Sequence, residues 1–359
     1  TVCAAGHGAF LRGVELFDHA LFGISLAETS TMDPQQRLLL EVGYGALHGG
    51  GLLRCELLES STAVYVGVMS TEFREVLPHR NAYAMTGTGH CFAGGRLSYV
   101  LGLHGACEAI DVACSSALVA CHSAQRALQL GEACDALVAG VNMMFVPATL
   151  VSYAAAGLTS PSGKSLVFDA RASGFVRGEG CGAGVLQAAP VAASVVGSAV
   201  RQDGRSASLT APNGRAQEQL LHAVLSDAAT APAQLQQVEA AANGSALGDP
   251  IEVGAITAAL LAPRDVLGVL VIGSVKGNLG HTESASGLMG LAKLASAMRR
   301  GHGAPNAQLT VLAAHVVTAV GVGRRACTFA TQLSTAAASV QSGTVSSFGL
   351  GGTIASAVV

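Results

Sequence analysis

The chain has 359 residues, half of them apolar, with only 12% charged and a formal net charge of −3. That is ample for a sizeable core, as one large domain or two fused halves, and with no basic run it argues against nucleic acid as a partner. No segment is a clean apolar span of transmembrane length, and nine scattered cysteines without a C-x-x-C pair argue against a disulfide framework or a zinc site. The opening TVCAAGHGAF lacks an initiator Met and the charged-then-apolar pattern of a signal peptide, so the chain reads as cut from a longer product. A reducing compartment is expected, the cytoplasm or an organelle lumen such as a plastid, with most cysteines acting as small apolar residues.

Short apolar runs alternate with Ala/Leu-rich helical stretches, the grammar of an α/β fold. Residues 33–47 read as a helix with Asp33 as N-cap and Pro34 at its first position. Residues 105–113 lead as a strand into Cys114, and 115–130 follow as a helix with a small-residue face, closed by Gly131. Strands are expected at 134–141 and 180–188. A second series starts near 193: strand 194–200, helix 216–229, strand 236–240, helix 251–262, strand 268–274 and helix 285–299. The grammar of the two series suggests halves at 1–188 and 189–359. No GxGxxG follows a strand and there is no Walker loop, so a nucleotide cofactor is a weak reading.

In AIDVACSSALVA, Cys114 lies between an apolar strand and the first turn of a helix. Free N–H groups and partial positive charge at that point favour thiolate, the attacking form. A cysteine without such a setting is better read as a packing residue, and that reading covers Cys55, Cys91, Cys107, Cys121, Cys134, Cys181 and Cys327.

The stretch DVACSSALVACHSAQRAL resembles the nucleophile motif of β-ketoacyl synthases, most of all the ketosynthase domains of modular type I polyketide synthases. Further strings in the same order carry the resemblance along nearly the whole chain: FDHALFGIS (17–25), MDPQQRLLLEV (32–42), GRLSYVLGL (95–103), FDARASGFVRGEG (168–180), GSAVRQDGRS (197–206), LTAPNG (209–214), LGDPIEVGA (247–255), GSVKGNLGH (273–281) and SSFGLGGT (346–353). The resemblance implies a thiolase-like fold, two pseudo-symmetric α/β halves in five layers, here with the first strand region missing. It implies a homodimer, no permanently bound cofactor or metal, and substrates tethered by phosphopantetheine to an acyl carrier protein among neighbouring polyketide synthase domains. The implied reaction loads an acyl group on the cysteine. It then condenses that group with a carbanion formed by decarboxylation of a malonyl-type thioester.

On this resemblance His281, in VKGNLGHTE, is one of two histidines that donate hydrogen bonds to the developing enolate, a role that needs preorganised donors. Gly280 suggests a tight turn that aims its ring. Lys276 matches a supporting lysine, with Glu283 expected as its ion partner. Phe348 matches a gating phenylalanine whose N–H, with that of Cys114, would form the oxyanion hole. The other ten histidines, among them His79, read as packing residues.

The second histidine is missing. Where the family reads VEAHGTGTA this chain reads VEAAANGSA in register, as Val238–Glu239–Ala240–Ala241–Ala242–Asn243–Gly244–Ser245–Ala246, which puts Ala241 at the histidine position. Asn243 carries an amide donor two positions along, but its use there would need a rearranged loop. Gly277 replaces a Thr, and Ile354 and Ser356 replace an Asn and a His. Three readings compete: a working condensing enzyme, a non-elongating ketosynthase that only transfers or holds acyl chains, and a non-catalytic dimer or carrier-protein scaffold. The elbow and His281 speak against the last, and Ala241 speaks against the first.

Overall fold

The structure, a computed structural model, describes residues 6–77, 81–188, 193–264, 268–321, 327–335 and 342–359; His79 lies outside them. Twelve strands are described: β1 Ala63–Val68, β2 Cys107–Ile110, β3 Asp135–Asn142, β4 Gly180–Gln187, β5 Gly197–Gln202, β6 Gln237–Glu239, β7 Leu270–Gly273, β8 His302–Gly303, β9 Cys327–Thr328, β10 Ser334–Thr335, β11 Gly343–Phe348 and β12 Thr353–Val358. One sheet runs β2-β1-β3-β4 and a second runs β5-β12-β11-β6-β7-β9, with β8 and β10 as a separate ribbon.

The sheets repeat one another. In the first, β2, β1 and β3 are parallel and β4 is antiparallel to β3. In the second, β7, β6 and β11 are parallel and β12 is antiparallel to β11. Beyond β12 lies β5, also antiparallel. The matching place beyond β4 holds no strand among the described residues.

Alternation along the strands builds the layers, because successive side chains leave opposite faces. Val64, Val66, Leu137 and Ala139 turn outward and pack on the helices Pro34–Gly49 and Cys91–Leu101 through Leu39, Leu40, Leu47 and Leu97. Ala63, Tyr65, Ala136 and Val138 turn inward, where they meet Val345, Ala355 and Ala357 of the second sheet across the helices Ser116–Gln129 and Ser286–Arg300. Val238, Leu270, Ile272 and Ile354 turn to the far side, onto the helices Gly214–Asp227 and Gly248–Ile256. The order is helices, sheet, helices, sheet, helices.

The central helix layer is thin because its contacts are small. A Cβ on Gly67 would lie 2.5 Å from the Ala117 nitrogen, and one on Gly140 would lie 2.7 Å from the Ala117 Cβ. The small face of Ser116–Gln129, with Ala117, Ala120, Ala124 and Ala127 buried, lets both sheets approach it.

Boundaries move where side chains compete for the backbone. The strand expected to run to residue 113 ends at Ile110, because Asp111 Oδ1 accepts the Ala113 N–H at 3.2 Å and Ser116 Oγ accepts the Val112 N–H at 3.0 Å. The helix expected at 251–262 starts at Gly248 and widens to a π-turn over Thr257–Leu261. Asp33 caps its helix as expected, accepting the Gln35 N–H at 2.8 Å, and Gly131 closes the central helix at φ 72°. Ile354 and Ser356 sit in regular β12 pairs, so their substitution leaves the ladder intact.

Candidate active site

β2 delivers the chain to Cys114 through a strained elbow. Ala113 has φ 55°, a left-handed conformation that costs a non-glycine residue about 1–2 kcal/mol. Hydroxyls hold the turn. Ser116 Oγ donates to the Ala113 carbonyl at 2.6 Å, and Ser347 and Ser286 donate to the Cys114 carbonyl at 2.7 and 3.1 Å. Ser115 Oγ lies 2.9 Å from the carbonyls of Val112 and Thr353. The elbow is thus clamped by residues from both halves of the chain.

Cys114 opens into a cavity of about 560 Å³ that is also lined by Ala241, Lys276, His281, Glu283 and Phe348. All six residues singled out in the sequence therefore share one cavity.

His281 is placed by backbone. A parallel bridge joins it to Arg177, its N–H donates to the Val176 carbonyl at 2.8 Å, and its carbonyl accepts the Gly178 N–H at 2.8 Å. Gly280 has φ 77°, and a Cβ there would meet the Val176 carbonyl oxygen at 3.2 Å, so this turn needs glycine. The ring stands edge-on to Phe175 with centroids 4.9 Å apart. Its Nδ1 accepts the Glu283 N–H at 3.1 Å, and its Nε2 lies 3.1 Å from Cys114 Sγ. Burial holds the imidazole well below its ordinary pKa, and the charges of Lys276 and Arg177 add to this. The ring is therefore neutral. With Nδ1 already accepting a proton donor, Nε2 carries the hydrogen and points it at sulfur. In this tautomer the ring offers Nε2–H as a donor toward the cavity.

Ala241 is buried on the cavity wall, and its backbone is fixed from two sides. Its N–H donates to Glu252 Oε1 at 2.7 Å, and its carbonyl accepts from Lys276 Nζ. The following loop is pinned by Asp249, whose carboxylate accepts the N–H groups of Asn243, Gly244 and Ser245 at 3.1–3.2 Å. Burial pushes Glu252 up to about 8 and Asp249 up to about 6. The backbone at 241 is thus fixed, and the methyl group it presents to the cavity offers no donor.

Three expectations need correction. Glu283 is not the ion partner of Lys276: its carboxylate meets Arg177 at 2.5 Å, and Arg177 also reaches Glu72 at 3.1 Å. Both glutamates approach the guanidinium, which packs over the Tyr153 ring at 5.0 Å and is almost wholly buried. Lys276 donates instead to the Ala241 carbonyl. The loop N–H that favours a thiolate alongside that of Cys114 is Leu350's. Phe348, expected in that role, pairs with Ile354 in the β11–β12 ladder. Finally, the surroundings of Cys114 disfavour the thiolate. Burial pushes the Cys114 thiol up to about 11, against Lys276 and the two N–H groups, because desolvation outweighs the partial charges of one helix turn.

Arg177, Glu72, Glu252, Asp249 and Leu350 were not singled out from the sequence. Four of them lie within or beside the quoted strings, in FVRGEG, LGDPIE and SSFGLGG. Glu72 had no such signal.

The family model described as "Beta-ketoacyl synthase, N-terminal domain" matches residues 2–192, and that described as "Beta-ketoacyl synthase, C-terminal domain" matches residues 192–310. One phenolphthiocerol/phthiocerol polyketide synthase polypeptide of Mycobacterium tuberculosis is 40% identical over 321 residues, 86% of this chain and 17% of that protein. Another polypeptide of the same synthase is 40% identical over 367 residues, 98% of this chain and 20% of that protein. The chain thus spans a fifth or less of these relatives. Among solved structures, the ketosynthase from module 6 of the bacillaene synthase of Bacillus subtilis 168 has a TM-score of 0.89 at 33% identity, covering 97% of this chain and 62% of that one. The oxazolomycin ketosynthase domain OzmH KS7 of Streptomyces albus JA3453 has a TM-score of 0.90 at 30% identity, covering 98% and 64%.

Proposed function

This chain belongs to the β-ketoacyl synthase family, as a ketosynthase of the polyketide synthase type with a thiolase-like α/β fold, and from that premise we propose that it takes acyl groups from phosphopantetheine thioesters onto Cys114 and condenses them only slowly. In the loading step the sulfur attacks the thioester carbon and gives up its proton. The carbon–sulfur bond to the pantetheine breaks, and the departing sulfur takes up the proton that Cys114 released. The N–H groups of Cys114 and Leu350, both of which favour charge on the sulfur, would hold the oxyanion.

Condensation asks for more. Loss of CO₂ from a malonyl-type thioester leaves an enolate oxygen that needs preorganised donors. His281 Nε2 supplies one, and Ala241 supplies none. The observation that carries this reading is the pairing of a donor-locked imidazole 3.1 Å from Sγ with a methyl group at position 241 of the same cavity. Loss of one such donor lowers rate by roughly 10²–10³-fold. The clamped elbow favours an acyl-transferring role over a non-catalytic scaffold, and Ala241 favours the non-elongating role over a fast condensing enzyme.

The test has two parts. A short acyl thioester should add one acyl mass, mapped to Cys114 and absent in Cys114→Ala. Pre-acylated protein given a malonyl carrier substrate should release CO₂ and β-ketoacyl product slowly, and Ala241→His should accelerate both. Equal rates for the natural chain and Ala241→His would overturn the slow-condensation reading.

The acyl carrier protein and the flanking synthase domains are its proposed partners, and residues 1–188 and 189–359 its proposed halves. A homodimer is proposed through β2, an edge strand paired on one side only, with Cys107, Glu108 and Ala109 exposed. Light scattering should give twice the chain mass, and a monomer that still loads acyl groups would refute the dimer.

A further inference from the structure

We propose that Asp203 and Gln217 form an acceptor subsite in the wall of the Cys114 cavity that takes a hydrogen-bond donor of the bound thioester, a hydroxyl or an amide N–H. This rests on the acyl-loading reading above and names the class of substrate the cavity prefers.

Both residues line that cavity. Gln217 is 2% exposed, yet its Oε1 has no hydrogen-bond partner among the described residues, and the same holds for the buried Asp203 Oδ1. Buried oxygens of this kind are nearly always satisfied, and an exception asks for a reason. Among the described residues no cation lies within ion-pair distance of Asp203. Burial pushes its carboxyl above the usual range, and only the Asn213 N–H draws it back.

Asn213 ties the two acceptors to one wall. Its Nδ2 donates to the Asp203 carbonyl at 2.7 Å, and its own carbonyl accepts the Gln217 N–H at 3.0 Å. Its Oδ1 accepts the Arg215 and Ala216 N–H groups, which fixes the helix turn that carries Gln217. The Asp203 N–H donates to the Gly352 carbonyl at 2.8 Å, two residues from Leu350, so the subsite is joined to the loop beside the sulfur. Elsewhere the cavity offers Tyr153, Leu158, Phe175 and Phe348 to an apolar chain. A saturated chain would leave both oxygens unsatisfied. A hydroxylated acyl chain, or the amides of the carrier arm, would satisfy them.

The test measures second-order acylation of Cys114 by intact mass with two matched pairs of thioesters. One pair compares a 3-hydroxyacyl with the saturated acyl group on the same pantetheine thiol. The other compares pantetheine with an amide-free thiol carrying the same saturated acyl group. The natural chain should prefer the donor-bearing member of one pair by about tenfold. Gln217→Leu and Asp203→Val, which remove the acceptor oxygens, should erode that ratio. Erosion in the first pair places the donor on the acyl chain, and erosion in the second places it on the carrier arm. Absence of preference in the natural chain, or ratios unchanged in both variants, overturns the subsite. Should no thioester acylate Cys114, the loading reading fails by itself. The same ratios are then read as affinities by calorimetry on Cys114→Ala, and equal affinities within both pairs overturn the subsite.

Discussion

Replacing Arg177 with Met should remove the cation between two buried carboxylates and weaken the fold by about 3–5 kcal/mol near pH 8, the usual cost of stranding a buried charge. The structure sets that size. The Arg177 side chain is 1% exposed, reaches Glu283 at 2.5 Å and Glu72 at 3.1 Å, and covers the Tyr153 ring. A methionine fills most of the volume, so the loss is electrostatic rather than a cavity. The sign of its pH dependence follows. Burial already raises Glu283 above the ordinary carboxylate range although Arg177 opposes it. Without Arg177 its folded pKa rises further above the unfolded value, so the folded variant keeps a proton that the unfolded chain releases. The variant's deficit is therefore full above that raised pKa and shrinks as pH falls through it. Urea unfolding of both proteins at pH 8 and pH 5.5 checks this. A loss below about 1 kcal/mol, or an equal loss at both pH values, would refute the reasoning. Because the Glu283 N–H sets the His281 tautomer, condensation by the variant should fall more than acyl loading does.

Alkylation of Cys114 by iodoacetamide should rise about tenfold per pH unit from 7 to 10, as a thiol raised to about 11 requires; a plateau below pH 9 would contradict the dominance of desolvation. Glu252 keeps its proton up to about pH 8 in the fold, whereas the unfolded chain loses it near the ordinary value, so stability should decline as pH rises from about 4.5 to 8; in Glu252→Gln that decline should flatten, by denaturant unfolding across the range. Gly67→Ala should push the nucleophile helix away from β1, where the added Cβ would stand 2.5 Å from the Ala117 nitrogen; a loss of about 1–3 kcal/mol is expected, with slower loading at Cys114, and unchanged stability would show that the helix yields freely.

The strand–elbow–helix around Cys114, the order of the later elements and the absence of an imidazole at 241 are all legible in the chain itself. These are local facts: an N-cap at Asp33, a run of small residues from Ser116, a glycine before His281, and an alanine in an otherwise matching string. How the charges pair, and which form each group takes, was settled by packing. Lys276 and Glu283 are seven residues apart, and the resemblance pairs them. In the fold Arg177, just ahead of β4, reaches Glu283 and also Glu72 from the loop that follows β1, and Lys276 turns to the Ala241 carbonyl. The loop N–H that favours a thiolate is Leu350's rather than Phe348's, because Phe348 remains in the β11–β12 ladder and the chain turns toward sulfur only after it. The thiol is held above its ordinary range because desolvation depends on what surrounds Sγ in three dimensions, while the helix terminus that favours thiolate can be read along one. Local propensity is written in neighbours, whereas electrostatics is written in distances that only packing sets.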